Sequence, residues 1–533
     1  TAAGHVFSTA ADSEVLLHGY EQWGIDLFDH LRGMFAFVIY DQTTQELFGA
    51  RDFFGIKPLY YATMDGVFLF GSEIKALLEH PAFDQELNPR ALESYLSFQY
   101  SPGPETFFAN TYKLTPGHWF RWRPGMVQPE IGRYWSAQFA PDEEPDLDHW
   151  VDAIEQVMDD SVEAHKIADV EVGSFLSSGV DSSYVASSAH VDKTFTVGFD
   201  NGPAYNETDY ARELSALIPV KNFAKLITAD EFWQAFPRVQ WQMDEPLADA
   251  SAVALYFVSQ EAAKQVKVVL SGEGADEIFG GYTIYREPID ASWYNRVPWP
   301  LRRLLGRLAS WLPPMRGRNF LVRRGQRLQE RFIGNASIFS VKERRSLLRQ
   351  PTTAPAPKDV VKPWYEAAAG ADPVTQMQVV DLNAWLVGDI LLKSDKMSMA
   401  HSLELRPPFL DKEVMGLASQ IPARFRLAEG TTKYALRQAA ARRMPAKWST
   451  KKKLGFPVPI RVWLREERWQ RVIAEAFTSA GAEQFFDVDQ LKDLLLDHAR
   501  GKCDNSRKIW TIYTFLVWYD VYFGDRRLKA TTT

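Results

Sequence analysis

The chain has 533 residues, 46% of them hydrophobic and 24% charged, with a formal net charge of -8 and a pI near 5.8. That length exceeds one ordinary core, so two domains are expected, and the acidic balance argues against a polyanion-binding surface: no nucleic-acid partner is expected and any phosphate recognition has to be local. A single cysteine, Cys503, excludes an intrachain disulfide and a Cys-based zinc cluster and suits a reducing, cytoplasmic setting.

The chain opens on Thr1-Ala2-Ala3 and runs almost at once into the ordered-looking segment 14–20, so it reads as beginning inside a domain. From 14 to about 135, runs such as 34–40 and 59–61 are rich in β-branched and aromatic residues between turn residues, which predicts a strand-rich first half. The acidic, proline-containing stretch 141–146 has the composition of an exposed connection, giving domains of 1–140 and 147–533. Beyond it, strands are expected at 170–176, 194–199, 221–227 and 266–270. Helices are expected at 181–190, 210–218, 232–242 and 252–265. This alternation predicts an α/β fold with a doubly wound parallel sheet. From Pro288 the pattern is mostly helical, and the apolar stretch 509–523 contains Asp520 and falls short of the ~20 residues of a spanning helix. It reads as a buried C-terminal helix, and no membrane partner is expected.

Two loops carry the chemistry. The first, Ser177-Ser178-Gly179-Val180-Asp181-Ser182-Ser183, ends a strand and opens a helix, so backbone N–H groups and hydroxyls can converge on one anion. No Gly-Lys-Ser/Thr follows, which excludes a Walker-type loop. The alternative is an ordinary strand-to-helix turn with a serine N-cap. In the second, Val268-Val269-Leu270 runs into Ser271-Gly272-Glu273-Gly274-Ala275-Asp276-Glu277, followed by Phe279-Gly280-Gly281-Tyr282. Ligands of parallel sheets collect at the carboxyl ends of strands, so both loops can share one crevice. Asp276 can hold magnesium on a triphosphate there, since Mg2+ accepts one or two carboxylates plus phosphate oxygens.

With these loops in place, the chain resembles glutamine-dependent asparagine synthetase. The serine turn is similar to the pyrophosphate loop of the ATP-pyrophosphatase superfamily. The resemblance extends through Met243-Asp244-Glu245-Pro246, Asp395-Lys396-Met397-Ser398, Leu403-Glu404-Leu405-Arg406-Pro407-Pro408-Phe409, Lys433-Tyr434-Ala435-Leu436-Arg437 and Lys453-Leu454-Gly455-Phe456. One departure is Ser178, where the family turn usually has glycine; it is tolerable if the backbone keeps a negative φ. The resemblance implies ATP contacts at Leu176, Val197, Ser271 and Gly272, and pyrophosphate contacts at Ser177, Gly179, Asp181 and Ser182. It implies magnesium at Asp181 and Asp276, and a role for Glu273 in forming a β-aspartyl-adenylate from aspartate and ATP. Lys433 is the preferred cation for the charge that develops on the departing pyrophosphate. Lys393 and Lys396 rank lower, as lysines on a helical face are usually solvated. Glu404 and Arg406 are read either as pocket organisers or as a structural ion pair.

The first half resembles a partial class II glutamine amidotransferase domain of the Ntn type, through Ala11-Asp12-Ser13-Glu14-Val15, Gly33-Met34-Phe35-Ala36-Phe37 and Arg51-Asp52-Phe53-Phe54-Gly55-Ile56-Lys57-Pro58. Asp12 matches the acid that binds the glutamine α-amino group, its plain alternative being a helix N-cap. That family uses an N-terminal cysteine nucleophile, which this sequence does not show. Cys503 matches no such motif and reads as a buried or inert thiol, so the sequence as it stands is expected to use free ammonia, and the complete protein glutamine. Small-molecule partners are then aspartate, ATP and glutamine or ammonia, with a homodimer compatible with the reading. Within the same architecture the alternatives are a β-lactam synthetase-like or peptide-cyclising enzyme acting on another carboxylate, and, from a different class, an inactive scaffold. Two basic stretches remain. Arginines among Leu, Trp and Phe between 300 and 331 read as a solvated helical face rather than a membrane-surface or partner-binding helix. Lys451-Lys452-Lys453 reads as a loop that closes over pyrophosphate or as plain surface.

Overall fold

The computed structural model describes residues 4–290, 292–313, 315–451 and 457–524. They form two compact units: the first holds the residues up to Asp84 with Asn110–Ser136, the second Gln85–Ala109 with Ala137 onward. A single cut near residue 140 therefore does not describe how 85–109 pack. Within this stretch the helix Pro89–Phe98, N-capped by Asn88, is buried at every residue from Ala91 to Phe98. A helix buried on all sides has to satisfy its polar side chains within the protein. Glu93 pairs with the equally buried Arg344 at 3.2 Å, and the Tyr95 hydroxyl donates to the Thr511 carbonyl at 2.8 Å.

The first unit holds the helix Asp12–Trp23 and a few short helical turns, and is mainly built on strands. Ala36–Asp41, Glu46–Arg51, His118–Trp122 and Glu130–Arg133 form a four-stranded antiparallel sheet, and Val67–Gly71, Tyr60–Met64 and Thr111–Lys113 a three-stranded one. Strands expected at 34–40 and 59–61 are present as Ala36–Asp41 and Tyr60–Met64. Two aromatic clusters, one around Tyr61, Phe68 and Phe120 and one around Phe28, Phe48 and Trp119, supply the apolar burial. The Arg51–Lys57 turn satisfies its own backbone. The buried Asp52 carboxylate accepts the N–H groups of Ile56 and Lys57, both at 2.9 Å, while the Arg51 guanidinium donates to the carbonyls of Gly55, Lys57 and Leu114.

Asp12 is exposed in the first helical turn and does not cap it; the N-cap position is Ala11, with no side-chain cap bond. The segment before it is tied down by Glu14, whose carboxylate accepts both the N–H and the hydroxyl of Ser8 and of Thr9. These bonds, the Thr9 hydroxyl foremost, hold the Glu14 pKa at about 2 against an ordinary 4.5. A lowered carboxyl pKa stabilises the segment above pH 4.5, and that contribution is lost as pH falls towards 2. Glu14→Gln should therefore raise amide exchange at Ser8 and Thr9 at neutral pH and remove its rise through this window, as hydrogen-exchange mass spectrometry would show.

The second unit is organised by a five-stranded parallel sheet. Its order is Lys221–Ile227, Lys193–Phe199, Val172–Phe175, Val268–Leu270 and Glu404–Arg406. Four of these strands and the helices Val180–Ala189, Thr208–Leu217, Ala229–Met243 and Ser251–Ala263 stand where the periodicity predicts them. The edge strand Glu404–Arg406 does not: its three residues, pairing Val268↔Glu404 through Leu270↔Arg406, are too short to carry an alternating pattern. The remainder is helical and closes on the buried helix Ser506–Phe523. No helix among the described residues is long and apolar enough to cross a membrane. Cys503 is exposed rather than buried, lying in the short loop before that helix. The connection 141–146 is pinned rather than loose, since the Asp142 N–H donates to the Gln420 carbonyl at 2.8 Å and Asp146 N-caps the helix Leu147–Lys166.

Candidate active site

A cavity of about 420 Å³ opens at the carboxyl ends of the strands Val172–Phe175, Lys193–Phe199 and Val268–Leu270. The serine turn forms one wall. The Leu176 N–H donates to the Phe195 carbonyl and its own carbonyl accepts the Thr196 hydroxyl, so the strand pairing continues to the mouth of the turn. The Ser177 N–H donates to the Ser182 hydroxyl at 3.1 Å, the two hydroxyls lie 2.8 Å apart, and the Gly179 N–H donates to Ser177 Oγ at 3.1 Å. This cross-bracing holds the hydroxyls beside the N-terminus of the helix Val180–Ala189, where the helix dipole favours an anion. Ser178 keeps a negative φ, which meets the condition for a side chain at that position. Its buried hydroxyl donates to Glu207 at 2.5 Å and so leaves the anion-facing side of the turn.

The acidic glycine loop forms the facing wall, and close approach explains its glycines. A Cβ on Gly272 would stand 2.7 Å from the Ser182 nitrogen and 2.9 Å from the Asp181 carbonyl carbon, backbone atoms that cannot swing away. Gly274, at φ +88°, sits in the left-handed region before the short helix Ala275–Phe279. Gly272→Ala should leave a soluble protein but displace the serine turn by a fraction of an ångström, lowering pyrophosphate release on the order of 10²-fold. Steady-state pyrophosphate release, read beside far-ultraviolet circular dichroism, checks this.

Lys433 joins the two walls. Its ammonium lies 2.5 Å from Asp181 Oδ2 and 2.6 Å from Asp276 Oδ1, and the residue is 1% exposed. Burial by itself disfavours the ammonium, but the charges of Asp181 and Asp276 outweigh it and raise the Lys433 pKa. The backbone at Lys433 is left-handed, φ 53° and ψ 41°, an uncommon state for a side-chain-bearing residue, which directs the lysine inward from the start of the helix Tyr434–Arg443. A Cβ on Gly281 would collide with the Asp276 carboxylate and the Lys433 side chain, so the Phe279-Gly280-Gly281 turn makes room for this pair.

A second charged group occupies the cavity floor. Lys393 donates to Asp249 at 2.5 Å and to the fully buried Asp389 at 2.8 Å, and Asp389 also accepts from Gln99 at 3.0 Å. Burial, reinforced by Asp249 and opposed by Lys393, pushes the Asp389 pKa up to about 7. Asp389 stands in the π-helical turn Leu386–Leu391, four residues and so about one turn before Lys393. Glu273 is half-buried beside them, accepts the Ser394 hydroxyl at 3.3 Å, and has its pKa raised by desolvation against the opposing pull of the Ser271 hydroxyl, the Lys393 charge and Ser394. Tyr282 donates to Glu277 at 2.6 Å and accepts the Trp385 indole N–H at 2.9 Å. The other flank is apolar, with Leu176, Val197, Ala254 and Val258.

Leu176, Ser177, Gly179, Asp181, Ser182, Val197, Gly272, Glu273, Asp276 and Lys433 all line this cavity. Ser271 does not: it is buried at the strand end, its N–H donating to the Arg406 carbonyl at 3.0 Å. Asp12 lies in the first unit. Lys393 and Lys396 are buried rather than solvated, Lys393 in the cavity and Lys396 paired with the buried Asp244 at 2.6 Å. Glu404 and Arg406 form an ion pair of 2.8 Å at the sheet edge, with Arg406 also donating to the His165 and Ile167 carbonyls, and neither lines the cavity. Lys451 lines it, and residues 452–456 fall outside the described residues. The lining residues not foreseen are chiefly Asp249, Ser251, Glu207 and Tyr282. The Asp389–Lys393 spacing of four on one helix was a usable signal; Glu207 has none, because it arrives from a separate loop.

Comparison with known proteins fits this geometry. The family described as "Asparagine synthase" matches residues 153–520, and the "Glutamine amidotransferase domain" matches residues 1–135. The chain belongs to the asparagine synthase family. It is 44% identical over 534 residues to Asparagine synthetase [glutamine-hydrolyzing] 1 of Bacillus subtilis, covering 98% of this chain and 83% of that protein. It is also 44% identical over 535 residues to a putative asparagine synthetase [glutamine-hydrolyzing] of Mycobacterium tuberculosis, covering 98% and 81%. Similarity to Asparagine synthetase [glutamine-hydrolyzing] 3 of Bacillus subtilis is lower, 27% over 86% of this chain and 72% of that one. The asparagine synthase match contains every lining residue of the cavity.

Proposed function

We propose that the protein makes asparagine from aspartate and ATP through a β-aspartyl-adenylate, releasing AMP and pyrophosphate, with ammonia drawn from glutamine. The observation that carries this reading is the Lys433 ammonium clasped between Asp181 of the serine turn and Asp276 of the acidic glycine loop. One buried cation thus stands where the two anion-directed loops meet. In the chemistry this supports, an aspartate β-carboxylate oxygen attacks the α-phosphorus as the bond to the β-phosphate breaks. Ammonia then attacks the β-carbonyl carbon, the bond to AMP breaks, and the nitrogen sheds a proton.

Ser177, Gly179 and Ser182 would offer hydroxyls and N–H groups to the departing pyrophosphate, and Lys433 would offset its growing charge. Leu176, Val197 and Gly272, with Ser271 behind them, would bound the nucleotide. Glu273, with its raised proton affinity, is suited to orient the carboxyl group as it reacts and to take the proton that ammonia loses. Asp181 and Asp276 are donors of the type Mg2+ takes when phosphate oxygens complete its shell; the point between them holds the Lys433 ammonium, so the metal would sit beside that point rather than at it. When bound there, it would neutralise and align the triphosphate. Asp12, exposed at the head of its helix, would hold the glutamine α-amino group. The single cysteine supports a reducing cytoplasm as the setting.

Isotope transfer tests the reaction class. With aspartate carrying 18O in its β-carboxyl group, adenylation sends one labelled oxygen to AMP. Label in inorganic phosphate with formation of ADP would show activation by phosphoryl transfer instead and overturn the proposal.

A further inference from the structure

The segment from Pro298 to Arg331 holds nine arginines and one carboxylate, Glu330, in a chain whose net charge is -8. Its first helix, Trp299–Ser310, buries Gly306 and Ala309, the small residues. Gly306 packs against Gly325 at the end of the helix Arg318–Arg324 so closely that a Cβ on either would come within 3 Å of the other's Cα. The large residues point the other way. Leu301 is 46% exposed, Leu304 52%, Leu308 54% and Trp311 88%, with Leu312 and Met315 following. Steps of three, four and three residues put the first four on one face. The outward face is therefore apolar, not the solvated polar face that the composition suggested. A contiguous apolar surface of this kind marks a site of association.

The charges around it identify the class of partner. Arg323 and Arg331 share the single Glu287 carboxylate, at 2.8 and 3.1 Å, and Arg302 donates to Asn295 at 2.9 Å. Arg303, Arg307 and Arg316 are exposed and form no ion pair with a described residue. Arg303 and Arg307, four residues apart, flank the leucine face, and Arg316 follows Met315. Pairing this face with its copy in a two-fold dimer would oppose unneutralised guanidinium groups. An anionic bilayer complements all of these features: leucines and an indole enter the acyl boundary, while arginine stems lie along it with their heads at the lipid phosphates.

We propose that the helix Trp299–Ser310, with Trp311, Leu312, Met315 and Arg316, forms a peripheral docking surface for anionic lipid bilayers. It would bring an otherwise acidic enzyme to a membrane reversibly, without a spanning segment. The test is co-flotation of the whole protein with vesicles of phosphatidylcholine alone and of phosphatidylcholine mixed with phosphatidylglycerol. Binding to the mixed vesicles should exceed that to phosphatidylcholine by about tenfold or more and weaken with salt. Replacing both Arg303 and Arg307 by Glu should weaken it by about 30-fold or more, and Leu308→Ser with Trp311→Ser should abolish it. Both double variants should keep the wild-type unfolding midpoint and pyrophosphate release. Absence of binding, equal binding to the two vesicle types, or a fall in molar mass of the variants by light scattering, which would make a second copy the occupant, would each overturn the proposal.

Discussion

Lys433→Ala should lower aspartate-dependent ATP–pyrophosphate exchange on the order of 10³-fold, the scale on which loss of a preorganised cation slows phosphoryl chemistry. The substitution removes the ammonium that pairs with both anion-directed loops, and leaves Asp181 and Asp276 to repel each other and the incoming triphosphate. Loss should fall mainly on kcat, since the charge to be stabilised grows as pyrophosphate departs. Lys433→Arg should recover only part of the rate, because a planar fork cannot occupy the point between two carboxylates that lie 2.5 and 2.6 Å from one ammonium. Exchange kinetics at saturating ATP, with the unfolding midpoint of each variant recorded, separate this chemical loss from a folding defect.

Lys393→Met should instead strike stability first. Among the described residues Lys393 is the cation paired with both Asp249 and the fully buried Asp389, and removing one partner of such a cluster typically costs about 3–5 kcal/mol. The penalty should depend on pH in a defined direction. Asp389 already has a pKa near 7 against an ordinary 3.8, and losing the lysine raises it further. A carboxyl group whose folded-state pKa is raised binds its proton more tightly folded than unfolded, so the variant loses stability as pH rises above 3.8 and through 7. The midpoint gap between wild type and Lys393→Met should thus be smaller at about pH 5 than at about pH 8. A gap that stayed constant would place the effect in packing rather than in charge.

Much of the second unit is legible in its sequence because its strands are apolar runs bounded by turns and its helices are long enough to show a period. Ser177 to Ser182 and Gly272 to Asp276 each sit just after a recognisable strand, which places both loops at the carboxyl end of a parallel sheet. What escapes is set by tertiary packing. Glu404–Arg406 becomes a strand only because Val268–Leu270 offers an edge to pair with. The helix Pro89–Phe98 follows its buried Glu93–Arg344 pair rather than its position in the chain. Ser271 reads as part of the site by adjacency, yet it stands behind the cavity wall, and Lys393 reads as a surface lysine until Asp249 and Asp389 converge on it. The leucine face at 301–311 is the reverse case: its period is visible in the sequence, but its outward direction follows from the Gly306–Gly325 contact.

The most direct test of the proposed reaction is ATP–pyrophosphate exchange by the wild-type protein, run with aspartate and with other carboxylic acids, beside folded Lys433→Ala. Exchange that requires aspartate and is lost in Lys433→Ala is the predicted result. Exchange supported by a different acid, or a near-normal rate in the folded variant, would contradict it.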